Sequence, residues 1–166
     1  QNFTILDGTP SGTFTLASNT QLNINGATAS EFQTTLNNFT NVALDATYAN
    51  QSRVRFNNTV NATTQVIPYR NTTGVFSYGT IELNGVGGAG NSNTKQAAGP
   101  LDINGNITFA GNGSVIFDDG NFNHTIAGDW LIGSTIYATP GATSSITFDG
   151  TNQQLIGNNN ASYRFR

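Results

Sequence analysis

Residues 101–120 read Leu-Asp-Ile-Asn-Gly-Asn-Ile-Thr-Phe-Ala-Gly-Asn-Gly-Ser-Val-Ile-Phe-Asp-Asp-Gly. Three short clusters in this stretch are rich in β-branched and aromatic residues, which favour strands. Asn-Gly or Asp-Gly pairs follow them, and asparagine and glycine tolerate the positive φ angles that turn a chain sharply. The stretch therefore predicts strands of three to five residues joined by tight turns.

The same alternation of strand-like clusters and turn pairs runs through most of the chain. Further pairs stand at Asn25-Gly26, Asn84-Gly85 and Asp149-Gly150. No window carries apolar residues at i, i+3, i+4 and i+7 over three turns, as an amphipathic helix requires. The sequence predicts an all-β chain in which helix is almost absent.

The spacing of the apolar clusters distinguishes two all-β architectures. Asn-Gly pairs also begin two-residue hairpins, which would give an antiparallel β-sandwich. Similar apolar positions, however, recur after about 20 residues, within the range of short-repeat proteins. The recurring positions are Val115, Ile136 and Leu155; Ile126, Ile146 and Phe165; and Leu22 and Val42. This spacing favours a parallel β-helix (β-solenoid) with coils of about 20 residues, and the antiparallel β-sandwich stays open as the alternative.

The sequence also contains a longer repeat in addition to the repeat of about 20 residues. The stretch 54–59 resembles 146–151, and 22–26 resembles 101–105. We predict one β-solenoid segment over 1–166, made of two imperfect modules, 1–84 and 100–166, that are joined by a Gly-rich loop at 85–99.

Amides and hydroxyls dominate the polar residues. The chain has 24 asparagines, 24 threonines and 19 glycines, together 40% of its 166 residues. Asparagine side chains that stack along the axis of a β-helix can hydrogen-bond to one another. The composition therefore favours asparagine ladders, and the alternative is that asparagine and threonine serve as turn formers and on solvated strand faces, as in any all-β fold.

Charge and residue usage exclude several classes of function. Charged residues make up 9% of the chain, against about 25% in ordinary domains, and the net charge is −3. Without a basic stripe, nucleic-acid binding through phosphate neutralisation is not expected. No apolar run approaches the roughly 18 residues of a membrane span. The absence of cysteine excludes disulfides, and the absence of methionine predicts a processed chain or a segment of a longer polypeptide.

From Val54 onward the order of motifs resembles the β-helical repeat regions of large secreted and cell-surface adhesin-like proteins of the Bacteroidetes, which are often exported by type IX secretion. The matching motifs cover about two thirds of the chain and are Val54-x-Phe-Asn57, Gln65-Val-Ile67, Tyr78-Gly-Thr-Ile-Glu-Leu-Asn-Gly85, Leu101-x-Ile-Asn-Gly-Asn-Ile-Thr108, Gly128-Asp-Trp130 and Ile146-Thr-Phe-Asp-Gly-Thr-Asn-Gln-Gln-Leu-Ile156. The resemblance implies a right-handed parallel β-helix in an extracellular or cell-surface fibre, adhesin or surface layer.

Acidic residues carry the sharpest enzyme hypothesis, a polysaccharide-degrading β-helix or tailspike-like fragment. Such an enzyme needs paired acids or a calcium-held acidic cluster. Asp118-Asp119 is the one acidic doublet, and Asp129 and Asp149 could occupy equivalent corners of neighbouring coils, which would give a weak calcium site. In the structural interpretation, which we favour, these aspartates bond their own turns. We predict no catalytic residue and no cofactor other than this calcium candidate.

Two aromatic side chains deserve separate hypotheses. His124 is the sole histidine, which excludes a catalytic triad or a zinc site of several imidazoles, and we expect it to project outward from a strand. Trp130 is either a sugar-stacking platform or, as we favour, a core aromatic that fills one corner of a coil.

The chain ends bear on the partners. Neither 1–4 nor 162–166 reads as a cap, and an uncapped solenoid exposes strand edges that pair with another copy. We therefore expect a non-enzymatic structural or adhesive segment whose partners are copies of itself or adjacent repeats, with surface glycans as further candidates. The alternatives are the enzyme above and a carbohydrate-binding β-module.

Overall fold

The computed structural model describes residues 13–17, 19–26, 41–44, 52–69, 77–87, 91–111, 113–132, 135–139, 143–152 and 155–156. Both chain ends, on which the expectation of missing caps rests, lie outside these residues. All regular structure in the described part is β, and it contains no helix that could cross a membrane. The strands are β1 (Thr13–Leu16), β2 (Gln21–Ile24), β3 (Asn41–Leu44), β4 (Arg53–Phe56), β5 (Thr64–Ile67), β6 (Thr80–Asn84), β7 (Val86–Gly87), β8 (Ser92–Ala97), β9 (Asp102–Ile103), β10 (Ile107–Ala110), β11 (Gly113–Asp118), β12 (His124–Ile126), β13 (Trp130–Ile132), β14 (Thr135–Thr139), β15 (Ile146–Phe148) and β16 (Leu155–Ile156).

The strands pair almost entirely in parallel. The largest sheet has six strands in the order β16-β13-β10-β6-β4-β2, and two sheets have three strands, β14-β11-β7 and β15-β12-β9. The remaining pairs are β1-β3 and β5-β8. Among the described strands, β7 with β11 is the single antiparallel pair, and no strand pairs with its neighbour in sequence. This pairing contradicts the antiparallel β-sandwich, which is built from hairpins.

The chain visits the sheets in turn. After β10 in the six-stranded sheet, β11 and β12 join the two three-stranded sheets, and β13 returns beside β10. Strands β14, β15 and β16 repeat this order, and each pairs with the strand three places earlier. Parallel partners require a crossover connection, and here the connections are themselves strands of other sheets.

The spacing between paired residues is longer and less regular than the predicted 20. Val54 pairs with Leu22 and Ile81, which lie 32 and 27 positions away. Ile107 pairs with Ile81 and Trp130, which lie 26 and 23 positions away. The last pair of this sheet, Trp130 with Leu155, is 25 positions apart, so the spacing varies from pair to pair because the segments between strands differ in length.

One of the predicted repeat partners is confirmed and three are wrong, whereas the predicted partner Phe165 lies outside the described residues. Val115 pairs with Ile136, 21 positions later, as predicted. Leu22 pairs with Val54 and not with Val42, which belongs to the β1-β3 pair. Register within the β12-β15 pair also differs, because Ile126 faces Phe148 and not Ile146, and Leu155 pairs with Trp130 in another sheet than Val115. Apolar residues stand at every second position of a strand, so a fixed spacing easily matches a residue two places from the true partner.

The in-register pairing stacks like residues into columns inside the protein. One column contains Val54, Ile81, Ile107 and Trp130, and each of these residues is at most 1% exposed. A second column contains Phe56, Leu83 and Phe109, which are fully buried. Alternate residues of a strand point to opposite faces, so these columns form one face of the sheet and supply the core. Burial of each large apolar side chain contributes roughly 1.5–3 kcal/mol.

An asparagine ladder follows the ends of three neighbouring strands and confirms the predicted stacking of amides. The Nδ2 atom of Asn57 donates to Oδ1 of Asn25 over 3.1 Å, and Nδ2 of Asn84 donates to Oδ1 of Asn57. The next position in the sheet is Ala110, which pairs with Asn84 and ends the ladder there.

The segment 85–99, which was predicted as a Gly-rich loop, contains a long strand. The six residues of β8 pair in parallel with β5, and Asn93, Lys95 and Ala97 alternate as its buried side chains. The loop prediction is therefore wrong over Ser92–Ala97. The composition concealed the strand because its inward residues are an amide, a lysine and an alanine instead of β-branched residues.

Truncation of a stacked aromatic tests the columns. Phe109 is fully buried, and its ring centroid lies 4.8 Å from that of Trp130 and 6.5 Å from that of Phe117. We expect Phe109→Ala to lower the free energy of unfolding in urea by roughly 3–5 kcal/mol, because the variant loses burial and leaves a cavity. The neighbouring variant Thr108→Ala, on the opposite face, should cost less than about 1 kcal/mol. Equal losses in the two variants would contradict the inward and outward assignment.

Candidate functional site

The acidic doublet stands at a turn and bonds it. Asp118 ends β11, and its Oδ1 atom accepts a hydrogen bond from the Gly120 amide over 2.9 Å. Its Oδ2 atom accepts from Nε2 of Gln96 over 2.8 Å. Both oxygens of the Asp118 carboxylate are thus engaged by protein donors, as the structural interpretation of the aspartates predicts.

Asp119 is almost completely buried, with 2% exposure. Its Oδ1 atom accepts from the Asn121 amide over 2.9 Å, and its Oδ2 atom accepts from Oγ of Ser144. Gly120 and Asn121 both adopt the left-handed conformation, with φ of 63° and 64°, which glycine and asparagine tolerate better than other residues. The carboxylate holds this tight turn against the strand that begins after Ser144.

Asp129 and Asp149 do not occupy equivalent corners, so that prediction is wrong. Asp149 directly follows Phe148, the partner of Ile126, and its amide donates to the Ile126 carbonyl over 3.1 Å. Asp129 directly precedes Trp130 in a different sheet. The described part of the chain holds no group of three or more His, Cys, Asp or Glu that could bind a metal ion.

His124 points inward, which corrects the expectation that it projects outward. It is 2% exposed, and Thr125 is the neighbour that faces outward, donating its hydroxyl to Oδ1 of Asp102 over 2.9 Å. The Nδ1 atom of His124 accepts from the Leu101 amide over 3.1 Å, and Nε2 lies 3.0 Å from the Asp119 carbonyl oxygen. These partners assign the neutral imidazole with its proton on Nε2.

The environment of His124 favours this neutral form. Burial lowers the pKa of His124, and the hydrogen bond to the Asp119 carbonyl and the Asp119 charge oppose the shift only in part. The imidazole thereby connects the strand β12 to the turn that Asp119 holds.

Trp130 is a core residue. It is 1% exposed, and its ring centroid lies 4.8 Å from that of Phe109, 6.0 Å from that of Phe117 and 6.5 Å from that of Phe148. The core interpretation is confirmed, and a sugar has no exposed indole face on which to stack.

The sequence did not predict a group of buried polar side chains beneath β5 and β8, formed by Asn58, Gln65, Asn93 and Lys95, which we call the amide-lysine cluster. Lys95 is fully buried and pairs in register with Gln65. Its Nζ atom donates to the Asn58 carbonyl oxygen over 2.7 Å and to Oε1 of Gln65 over 2.8 Å.

Gln65 connects the amide-lysine cluster to the edge strand β2. Its Nε2 atom donates to the carbonyl oxygens of Ile24 and Gly26 over 2.8 and 2.7 Å. Its Oε1 atom also accepts from the Asn58 amide over 3.1 Å. Nδ2 of Asn93 donates to the Asn58 carbonyl, and Oδ1 of Asn93 has no hydrogen-bond partner among the described residues. The cluster thus satisfies backbone groups of Ile24, Gly26 and Asn58.

The partners of Lys95 are neutral, which is unusual for a buried ammonium group. Burial lowers the pKa of Lys95 to about 7. Lysine is among the residues least often buried, so composition gave no reason to place it inside. Residues 92–97 show no apolar–polar alternation, so the sequence carries no period-two signal for this strand.

Two arginines form ion pairs with a buried glutamate on the face of the six-stranded sheet that points away from the core. The Glu82 side chain is 6% exposed, and those of Arg53 and Arg55 are 47% and 31% exposed. Nη1 of Arg53 lies 3.0 Å from Oε2 of Glu82, and Nε of Arg55 lies 2.6 Å from Oε1. The two arginines thus bridge the paired strands β4 and β6.

No family model, curated protein or solved structure matches this chain. The geometry of the described residues is therefore the basis on which a function can be proposed. In that geometry Asp118, Asp119, His124 and Lys95 all hydrogen-bond to turns or neighbouring strands.

The amide-lysine cluster predicts that stability rises with pH. Lys95 has a pKa of about 7 in the folded protein and about 10.4 when unfolded, so between these values the unfolded chain binds more protons. We expect the free energy of unfolding to increase from pH 7 to pH 9, by at most about 1.4 kcal/mol per pH unit. Lys95→Met should remove most of this slope in urea titrations. An unchanged slope in that variant would contradict a neutral buried amine.

His124 predicts a loss of stability in mild acid. Its pKa is lowered in the folded state from about 6.5, so below that pH the unfolded chain binds a proton that the folded protein resists. We expect the free energy of unfolding to fall between about pH 6.5 and pH 5, above the range in which carboxylates titrate. His124→Leu will be less stable overall, but its curve should be flatter over this range. Parallel curves for the two proteins would exclude His124 as the cause.

Proposed function

We propose that this chain is part of a right-handed parallel β-helix that serves as a non-enzymatic structural or adhesive segment of an extracellular fibre, adhesin or surface layer. The cycle of strands carries the proposal. Successive strands enter three sheets in turn, and β10 to β12 are followed in the same order by β13 to β15 beside them. Crossovers between parallel strands are almost always right-handed, which supports the proposed hand.

The inward-facing residues support one continuous core. The columns of the six-stranded sheet contact residues of the other sheets, since Phe117 on β11 packs against both Phe109 and Trp130. Phe148 on β15 packs against Trp130 from a third sheet. Side chains from three sheets that meet at one indole are what a winding chain with a shared interior would produce.

The outward-facing residues favour a role in binding other surfaces over a role in catalysis. Thr125 and Thr147 are paired on the outer face of β12 and β15, and Asn23 is exposed on β2. The ionisable groups with distinctive chemistry, His124 and Lys95, are instead buried and hydrogen-bonded within the protein. An outer surface of hydroxyls and amides suits stacking against protein or glycan. The extracellular setting rests on the resemblance of residues 54–156 to secreted repeat regions.

The strand edges support self-association as the mode of assembly. Strand β2 lies at one edge of the six-stranded sheet and β16 at the other. The Arg53 and Asn57 amides donate to the Thr20 and Ile24 carbonyls, so alternation directs the Asn23 N–H away from β4. An edge with free backbone groups pairs with another strand, and we propose a second copy of this chain as the partner.

A proline at the edge tests this mode of assembly. Proline is tolerated on edge strands, where it removes a donor without breaking an internal ladder. Asn23→Pro should weaken self-association in sedimentation velocity about tenfold, whereas Asn23→Thr, which keeps the N–H, should associate as the wild type does. Both variants should keep the wild-type circular dichroism spectrum.

Two outcomes would overturn the proposal. A wild-type protein that stays monomeric at every accessible concentration would contradict assembly through strand edges. A compact, isotropic particle in small-angle scattering, in place of an elongated one, would contradict the β-helix itself.

A further inference from the structure

The three Asn-Gly pairs whose two residues are both described differ in how the structure holds them. In Asn25-Gly26 both residues are exposed, whereas Gly85 and Gly105 are buried behind Asn84 and Asn104. An Asn-Gly sequence can undergo an intramolecular reaction. The backbone nitrogen of the glycine attacks the side-chain carbonyl carbon of the asparagine when both groups are free to move. The structure controls that freedom at each pair.

The attacking nitrogen is restrained at two of the pairs. The Gly85 amide donates to the Ala110 carbonyl over 2.9 Å, and the Gly105 amide donates to the Gly79 carbonyl over 2.9 Å. Neither nitrogen can reach the side-chain carbon of the preceding asparagine without breaking its backbone hydrogen bond. The Gly26 amide lies two residues beyond the end of β2 and has no acceptor among the described residues.

The side-chain amides differ in the same direction. Nδ2 of Asn84 donates to Asn57, and Nδ2 of Asn104 donates to Oγ of Ser77 over 2.7 Å, so both potential leaving groups are held. At Asn25 the hydrogen bond is on the oxygen, where Asn57 donates to Oδ1 over 3.1 Å. A donor at that oxygen stabilises the negative charge that develops there during attack.

We infer that Asn25 is a site of spontaneous deamidation and that Asn84 and Asn104 are protected from it. The Gly26 nitrogen forms a bond to Cγ of Asn25, its proton passes to Nδ2, and ammonia leaves as the ring of a succinimide closes. One water then opens either carbonyl of the ring and gives aspartate or isoaspartate.

The two products have different consequences for the edge of the sheet. Aspartate keeps the backbone and presents an oxygen to Asn57, so the end of the asparagine ladder can survive. Isoaspartate lengthens the backbone between the Ile24 and Gly26 carbonyls, which Gln65 binds together. The isoaspartate form therefore loosens β2 from the amide-lysine cluster. This inference does not depend on the proposed function.

Peptide mapping by mass spectrometry tests the selectivity. Folded protein is incubated at mildly alkaline pH and 37 °C, and the three peptides are followed with fragmentation that distinguishes aspartate from isoaspartate. We expect the Asn25 product to accumulate at least about tenfold faster than the products at Asn84 and Asn104, because the latter require local opening. In denaturant the three pairs should react at similar rates.

Gly26→Ala is the matched variant, because a side chain on the attacking residue hinders ring closure. The Asn25 product should fall in this variant while its circular dichroism spectrum and melting temperature match the wild type. Similar rates at the three pairs in the folded wild type would overturn the inference, and so would an intact Asn25 in folded protein whose denatured form reacts. The wild-type comparison stands even if the variant is unstable.

Discussion

In-register parallel pairing of β4, β6, β10 and β13 governs most of what this chain can place at each position. It sets each residue beside its counterpart in the neighbouring strand, so a column of inward side chains must be uniformly apolar or must provide hydrogen-bond partners for its polar members. Val54, Ile81 and Ile107 satisfy the first condition, and the amide-lysine cluster satisfies the second. A slip by one residue would turn every apolar side chain outward, which makes the register highly specified.

Polar pairs on the outward-facing side of the sheets strengthen this specification. The Arg55–Glu82 ion pair, the asparagine ladder and the Thr125–Asp102 hydrogen bond each join residues of paired strands. Cross-strand pairs of this kind contribute roughly 0.2–1 kcal/mol each. Their larger effect is to disfavour alternative registers, because a shifted strand loses them together. Within the amide-lysine cluster the loss would also leave Lys95 buried with no acceptors.

The fold was readable from sequence where local chemistry decided it. The strand-rich composition and the stacking of asparagine amides follow from residue types, and the first is visible in residues 101–120 alone. The Asn-Gly pairs that begin at Asn25, Asn84 and Asn104 were misjudged as sharp turns, because neither residue of these pairs has a positive φ. The repeat length was misjudged because it depends on variable segments between strands, as the Leu22–Val54 pair demonstrates. The sequence analysis failed mainly to predict which polar side chains point inward. The direction of the His124 side chain depends on where β12 begins, and the burial of Lys95 depends on its partner strand.

The strands that carry the column from Leu22 through Val54, Ile81 and Ile107 to Trp130 all run in the same direction, which gives the six-stranded sheet a polarity. Its two edges therefore differ, with β2 at one edge and β16 at the other. Copies that pair in parallel with β2 of one against β16 of the next would make a heterologous head-to-tail contact. A filament grown in that way would have a direction, with addition of subunits at its two ends occurring at different rates.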